Sequence, residues 1–159
     1  MTNLMLTPGL ADHFAGPLMP ILAVRDDRFR AAIARAIGVN LDAGTGRLDA
    51  FVASALWVDF TRAVKPGAIV AVTATHPGTY VSYQVKGPVE AIDRADDCDV
   101  ARARLSIDRM LGVLNSLGST RQQLSHMYTV EGLLRLRMRI TEVFAQTPGP
   151  DAGARIGAA

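Results

Sequence analysis

The sequence predicts a mainly β fold, an antiparallel sheet curled toward a small barrel with helices packed outside it. Three observations predict it. Short apolar or alternating stretches recur along the chain, bounded by Gly, Pro and Asp turns. The links between most of them are short, which favours antiparallel neighbours. Sustained helical spacing over several turns stands out in one segment, through Val100, Ala103, Ile107, Leu111, Leu114 and Leu117. Closing the sheet into a barrel removes exposed edges, and so small a barrel has no room inside for that helix.

The elements follow in order. Residues 1–17 are apolar but interrupted by Pro8, Gly9, Gly16 and Pro17, and read as an N-terminal arm with one helical turn near 10–14. LMPILAVR (18–25) is a buried strand, closed by the turn Asp26-Asp27. Residues 28–38 are helical by propensity, being rich in Ala and Arg, and the stretch AIGVNLD that ends them passes into a strand. Asp42-Ala43-Gly44-Thr45-Gly46 signals a hairpin. RLDAFVAS (47–54) returns from it, with Leu48, Ala50, Val52 and Ser54 on one face. Residues 56–65 form a short amphipathic helix stopped by Pro66-Gly67. AIVAVTA (68–74) and the long stretch 79–92 are paired strands, and Gly87-Pro88 marks a bulge or an edge in the second. Acidic residues from Asp93 to Asp99 suit the N-terminal dipole of the long helix, which Gly118 ends. A short helical piece near 120–127 precedes a last strand, 133–144. There Arg135, Arg137 and Arg139 point one way and Leu134, Leu136, Met138 and Ile140 the other. That arginine row reads as a solvated face, or as one meeting acidic groups across a dimer. Residues 146–159 are a Pro/Gly-rich tail.

Length and composition bound the function. A chain of 159 residues favours a single domain, 1–159, with a real core. Its 17 basic and 15 acidic groups leave a formal charge of +2 with no Lys/Arg block, so nucleic-acid binding is not expected. The single cysteine, Cys98, excludes an intrachain disulfide and fits a reducing cytoplasm. Its neighbours Asp96, Asp97 and Asp99 disfavour a thiolate. No C-x-x-C suggests zinc. The N-terminus lacks the pattern of a signal peptide, and no long apolar run suggests a membrane span. His13, His76 and His126 show no ligand spacing. Ser54, Ser82 and Asp59 lack the G-x-S-x-G context of a hydrolase.

Three stretches carry a resemblance to a known family: Ala34-Arg35-Ala36-Ile37-Gly38-Val39; the paired strands 68–74 and 79–89 with Gln84, Lys86 and Gly87; and Val143-Phe144 followed by QTPGPDAG (146–153). Over roughly residues 12–153 the chain resembles the pyridoxamine 5′-phosphate oxidase-like proteins, the FMN-binding split β-barrel family, and its small bacterial members. The resemblance implies a homodimer that holds FMN in clefts at the dimer interface with residues from both chains. QTPGPDAG would then follow an ordered course over the barrel or the partner. Proline restricts φ and glycine permits tight bends, so together they fix a path.

The resemblance also assigns residues. Arg35, expected at a strand start, matches an arginine that contacts the FMN phosphate. Ser82 falls where a flavin-contacting glutamine often sits, and Gln84 and Lys86 share its face; a solvent-facing polar row is the plain alternative. Tyr80 covers the ring or simply packs. Ser54 stands near the family's hydroxyl position, but Trp57-Val58 replaces a basic pair that binds phosphate. Trp57 is then a pocket filler, a core residue or a dimer anchor. Each lost charge-assisted contact is worth roughly 1.5–3 kcal/mol, so losing two weakens FMN by about 10²-fold or more unless Arg62, Lys65 or Arg25 compensates.

Two functions follow. In one, the chain is a flavin-dependent oxidoreductase passing electrons from a nicotinamide cofactor or small reductant to a small acceptor, with the chemistry supplied by FMN. In the other, it is a non-enzymatic ligand-binding or scaffold dimer that has lost tight FMN, since fold does not imply function. Haem, with His76 near the cleft mouth, and a deazaflavin are further candidate ligands of the same cleft.

Overall fold

The computed structural model describes residues 7–125 and 128–157. Its strands are β1 (Met19–Arg25), β2 (Ala31–Arg35), β3 (Gly38–Asp42), β4 (Arg47–Ala53), β5 (Ile69–Thr75), β6 (Ser82–Arg94), β7 (Leu133–Arg139), β8 (Glu142–Ala145) and β9 (Arg155–Ile156). Its helices are α1 (Pro8–Ala15), α2 (Val58–Ala63), α3 (Asp97–Ser116) and α4 (Arg121–Leu124). Every strand pair is antiparallel, as short links dictate. The ladder runs β2-β1-β5-β6-β7-β4-β3, and β8 pairs with both β6 and β9.

Closure of the barrel differs from expectation, because the ladder stays open between β2 and β3. These two ends are nevertheless consecutive in the chain, joined by Ala36 and Ile37. The Ala36 N–H donates to the Pro20 carbonyl (3.0 Å) and the Ile37 N–H to that of Phe51 (2.7 Å). One bent segment therefore pairs first with β1 and then with β4, and covalent continuity stands where a strand pair would close the ring.

Alternation decides what goes inside. Leu22, Leu48, Val72, Val85 and Met138 are fully buried in the barrel core. A second core of Ile37, Phe51, Ala103 and Leu133 lies between the sheet and α3, so the long helix packs outside. Asp96 caps it in a reciprocal box with Asp99, and Gly118 ends it at φ +93°.

Four expectations need correction. The stretch 28–38 is not helical: its middle, 31–35, is β2. Ala34 and Ala36 are buried in the barrel, where only small side chains fit, while Ile33 is exposed. Pairing with β1 overrides propensity, and Arg35 accordingly ends a strand rather than starting one. Secondly, β6 begins at Ser82, because residues 79–81 belong to a turn in which Tyr80 takes φ +61°. Thirdly, the last strand is two strands. β7 pairs with 89–94 of β6 and β8 with 83–86 along the same edge. Between them the Thr141 N–H donates to the Lys86 carbonyl (2.8 Å). The Pro/Gly segment, finally, is a loop that closes the β8–β9 hairpin. The Gly153 N–H donates to the Ala145 carbonyl (2.7 Å), and the Gln146 and Ala145 N–H groups donate to Ser82 and Ala154.

The arginine row is not a free solvated face. Arg137 forks onto Asp49 (2.7 and 2.8 Å), Arg135 reaches Asp93 (3.1 Å) and Asp99 (3.2 Å), and Arg139 meets Glu90 (2.7 Å). Side-chain hydrogen bonding from Arg47, with the Arg139 charge adding to it, holds the Glu90 carboxyl below the usual range. These acids come from the same chain, on β4, β6 and α3.

Where the arm was expected to make one turn, α1 is an eight-residue helix, capped by Thr7 with Pro8 in its first turn. Residues 1–6 lie outside the described residues. Half-buried His13 docks α1. Its Nε2 is 3.0 Å from the Ala74 carbonyl, and its ring meets Tyr83 edge-on at 4.9 Å. Burial lowers its pKa, the Ala74 bond opposes this, and the nearby His76 lowers it further. The unfolded chain therefore takes up this proton first. Stability is intact above about pH 6.5 and falls as pH drops below it toward the folded value. His13→Gln is expected to flatten the dependence of unfolding free energy on pH below about 6.5. A variant that keeps the wild-type slope in urea titrations would show that His13 is not its source.

Candidate functional site

The outer face of β2-β1-β5-β6-β8 carries the predicted residues. Cross-strand register places Arg35, Ile21, Thr73, Gln84 and Phe144 in one row. Beside it run Ile33, Ala23, Ala71, Lys86 and Glu142, and on the other side Met19, Thr75 and Ser82. Side chains directly opposite point the same way, so Arg35, Ser82, Gln84 and Lys86 share one face. Three strand spacings separate Arg35 from Gln84, about 14 Å. A single small group cannot touch both, whereas an elongated ligand or a pair of chains can bring both into use.

Each group already has local partners. The Gln84 amide donates to Thr73 Oγ1 (2.9 Å), and buried Ser82 shares a hydrogen bond with Thr75 (2.8 Å). The Lys86 ammonium lies 4.6 Å from the Phe144 ring centroid. Arg35 Nη1 donates to the Tyr128 hydroxyl (3.3 Å). Ser54 Oγ donates to the Gly132 carbonyl (2.9 Å). Segment 128–132 thus joins Arg35 and Ser54, and Tyr128 is a candidate site residue that the sequence reading missed. No local signal marks it; it arrives there because β7 pairs with β4.

The other expected residues lie elsewhere. Trp57 precedes α2 and is half-buried against the barrel core. Tyr80 is 64% exposed on the β5–β6 turn. The three groups proposed to compensate for Trp57-Val58 do not gather at Arg35. Arg25 pairs in register with Ala31, at the opposite end of β2, and stacks on Phe29 (4.2 Å). Lys65 is paired with Asp27 (2.7 Å). Arg62 shares a cavity with Asp26 and Asp59 near that same hairpin tip.

His76 Nδ1 accepts the N–H groups of Gly78 (3.1 Å) and Thr79 (3.2 Å). His126 lies outside the described residues. Among those described, no three His, Cys, Asp or Glu side chains form a metal-holding group. No helix among them is long and apolar enough to cross a membrane.

A scan against protein-family models finds no match, and neither does a search of curated proteins. Solved structures do match. One is an F420 reductase, with TM-score 0.55 and 16% identity over 87% of this chain and 98% of that one. Another is a Lactobacillus delbrueckii protein assigned provisionally as a pyridoxamine 5′-phosphate oxidase, with TM-score 0.52 and 18% identity over 91% and 96%. A third is HupZ of Group A Streptococcus, with TM-score 0.55 and 12% identity over 94% and 100%. The fold is the split β-barrel of pyridoxamine 5′-phosphate oxidase-like proteins. At such identities the likeness speaks for architecture alone. In this split barrel the open face of β2-β1-β5-β6-β8 is the part of the sheet that α3 does not cover, and it carries exposed Ile33 (55%) and Ile69 (58%).

Proposed function

We propose that the chain is a homodimeric, oxidoreductase-like split-barrel protein that binds FMN, with its phosphate held weakly. The open sheet face carries this reading. It combines exposed Ile33 and Ile69, the apolar surface a partner copy would cover, with the polar groups Arg35, Ser82, Gln84 and Lys86. Two copies meeting through this face bring Arg35 of one chain toward Ser82, Gln84 and Lys86 of the other. Bound FMN would supply two-electron redox chemistry. Arg35 would fork onto the phosphate, steadied by Tyr128. Lys86 would place positive charge beside the ring, and Thr73 would hold the Gln84 amide in one rotamer. With Trp57 packed inward and Arg25, Arg62 and Lys65 at the far hairpin tip, Arg35 is the main cation for the phosphate. Affinity is then expected about 10²-fold below that of a site with two more charged contacts.

The same observation favours a second reading, in which the single-domain dimer binds or carries a ligand without catalysis and FMN is not its natural occupant. Quenching of flavin fluorescence separates the two. The first reading expects saturable FMN binding in the micromolar range, at least tenfold weaker for riboflavin and for Arg35→Met. Equal binding of FMN and riboflavin would remove the phosphate site, and no binding of either would leave the carrier reading.

Dimerisation has its own test. The wild-type chain is expected to elute as a dimer by light scattering, and Ile33→Glu with Ile69→Glu as a folded monomer. A monomeric wild type would sink the shared-site reading.

A further inference from the structure

A cavity of about 400 Å³ lies between α3, α4 and residues 128–130, with Tyr128 in its wall. We propose that it is a second ligand site, for a small amphipathic carboxylate. Its apolar walls are Ile107, Leu111, Leu124 and Val130, and a cavity of this size and lining takes an apolar body. Its charges decide the rest. Asp108 and Arg121 neutralise each other at 2.9 Å. Arg104, which also lines the cavity, has no ion pair or hydrogen bond among the described residues. Among the described residues one positive charge is therefore left over, and a guanidinium fork matches a carboxylate. The Tyr128 hydroxyl is already committed, since it accepts from Arg35 and donates to Met110 Sδ (3.0 Å). Deeper in, the site asks for apolar contact. The ligand thus lies with its carboxylate on Arg104 and its apolar end against Leu111 and Val130. This site does not depend on the flavin reading: the two share only Tyr128, whose hydroxyl is already committed to Arg35 and Met110.

Calorimetric titration of the full chain with octanoate and with 1-octanol tests the proposal. Octanoate is expected to bind saturably. Arg104→Gln, a change at an exposed position, is expected to weaken octanoate at least tenfold and leave 1-octanol unchanged. Leu124→Trp, which fills the cavity from a half-buried wall, is expected to abolish binding of both while the circular dichroism spectrum stays that of the wild type. Any of three results would overturn the proposal: no octanoate binding, octanoate binding indifferent to both substitutions, or displacement of octanoate by FMN.

Discussion

Replacing Gly87 by alanine is expected to cost about 3 kcal/mol of stability. A Cβ at this position collides with the Arg139 carbonyl, at the point where β7 gives way to β8 across the edge of β6. The obstacle is backbone, so no rotamer change relieves it. Arg139 is also held by the β4 ladder, and the Thr141 N–H and hydroxyl both donate to the Lys86 carbonyl (2.8 and 3.2 Å). The junction can open only by weakening one ladder. For a chain of this length the melting temperature should drop by roughly 10 °C, with the urea m-value unchanged. Because Lys86 precedes Gly87, FMN affinity should fall in the same variant. A loss below about 0.5 kcal/mol, the level of an ordinary surface change, would mean that the close approach is not a constraint.

That junction also shows where the sequence runs out. From Leu134 to Ile140 the alternation is uninterrupted, so nothing local announces that the strand ends at Arg139 and resumes at Glu142. What breaks it is a crossing over Gly87, some fifty residues earlier in the chain. Gly87-Pro88 was legible as an irregularity, and the register does shift just beyond it, between Val89 and Ala91. In β2 the failure was one of weighting. Ala32, Ala34 and Ala36 alternate with Ile33, Arg35 and Ile37, a period of two written in good helix formers, and burial of the alanines decided for the strand. The arginines of β7 read as solvated because Asp49, Asp93, Glu90 and Asp99 are distant in sequence. That Ser82, Gln84 and Lys86 share one side of β6 was legible in the alternation. The partners Thr73, Thr75 and Tyr128 were not, because strand pairing alone brings them there.

Asp99 gives the second large expected effect, and it tests whether the charged face holds α3 on the barrel. Its side chain is 1% exposed. One carboxylate oxygen accepts from Arg135 (3.2 Å) and from the Asp96 N–H (3.3 Å), and the other meets Arg102 at 3.4 Å. Asp99→Ala removes its half of the capping box, while the Asp96 side chain still accepts from the backbone N–H of residue 99, and half of the Arg135 pairing at once. Removing one member of a buried pair costs about 3–5 kcal/mol. Here Arg135 keeps Asp93 and some exposure to water, so the lower end, about 3 kcal/mol, is expected. The buried Nε of this arginine finds no partner among the described residues. Asp97→Ala, at an exposed position of the same helix turn, should cost under about 0.5 kcal/mol. The decisive comparison is a double-mutant cycle. If Asp99 acts through Arg135, the pair Asp99→Ala with Arg135→Met should lose at least 1 kcal/mol less, roughly, than the two single losses added together. Strict additivity would assign the whole effect to the cap. The Arg135 contact would then be incidental to the docking of α3, which would rest on Ala103, Ile107 and the apolar surface around Phe51.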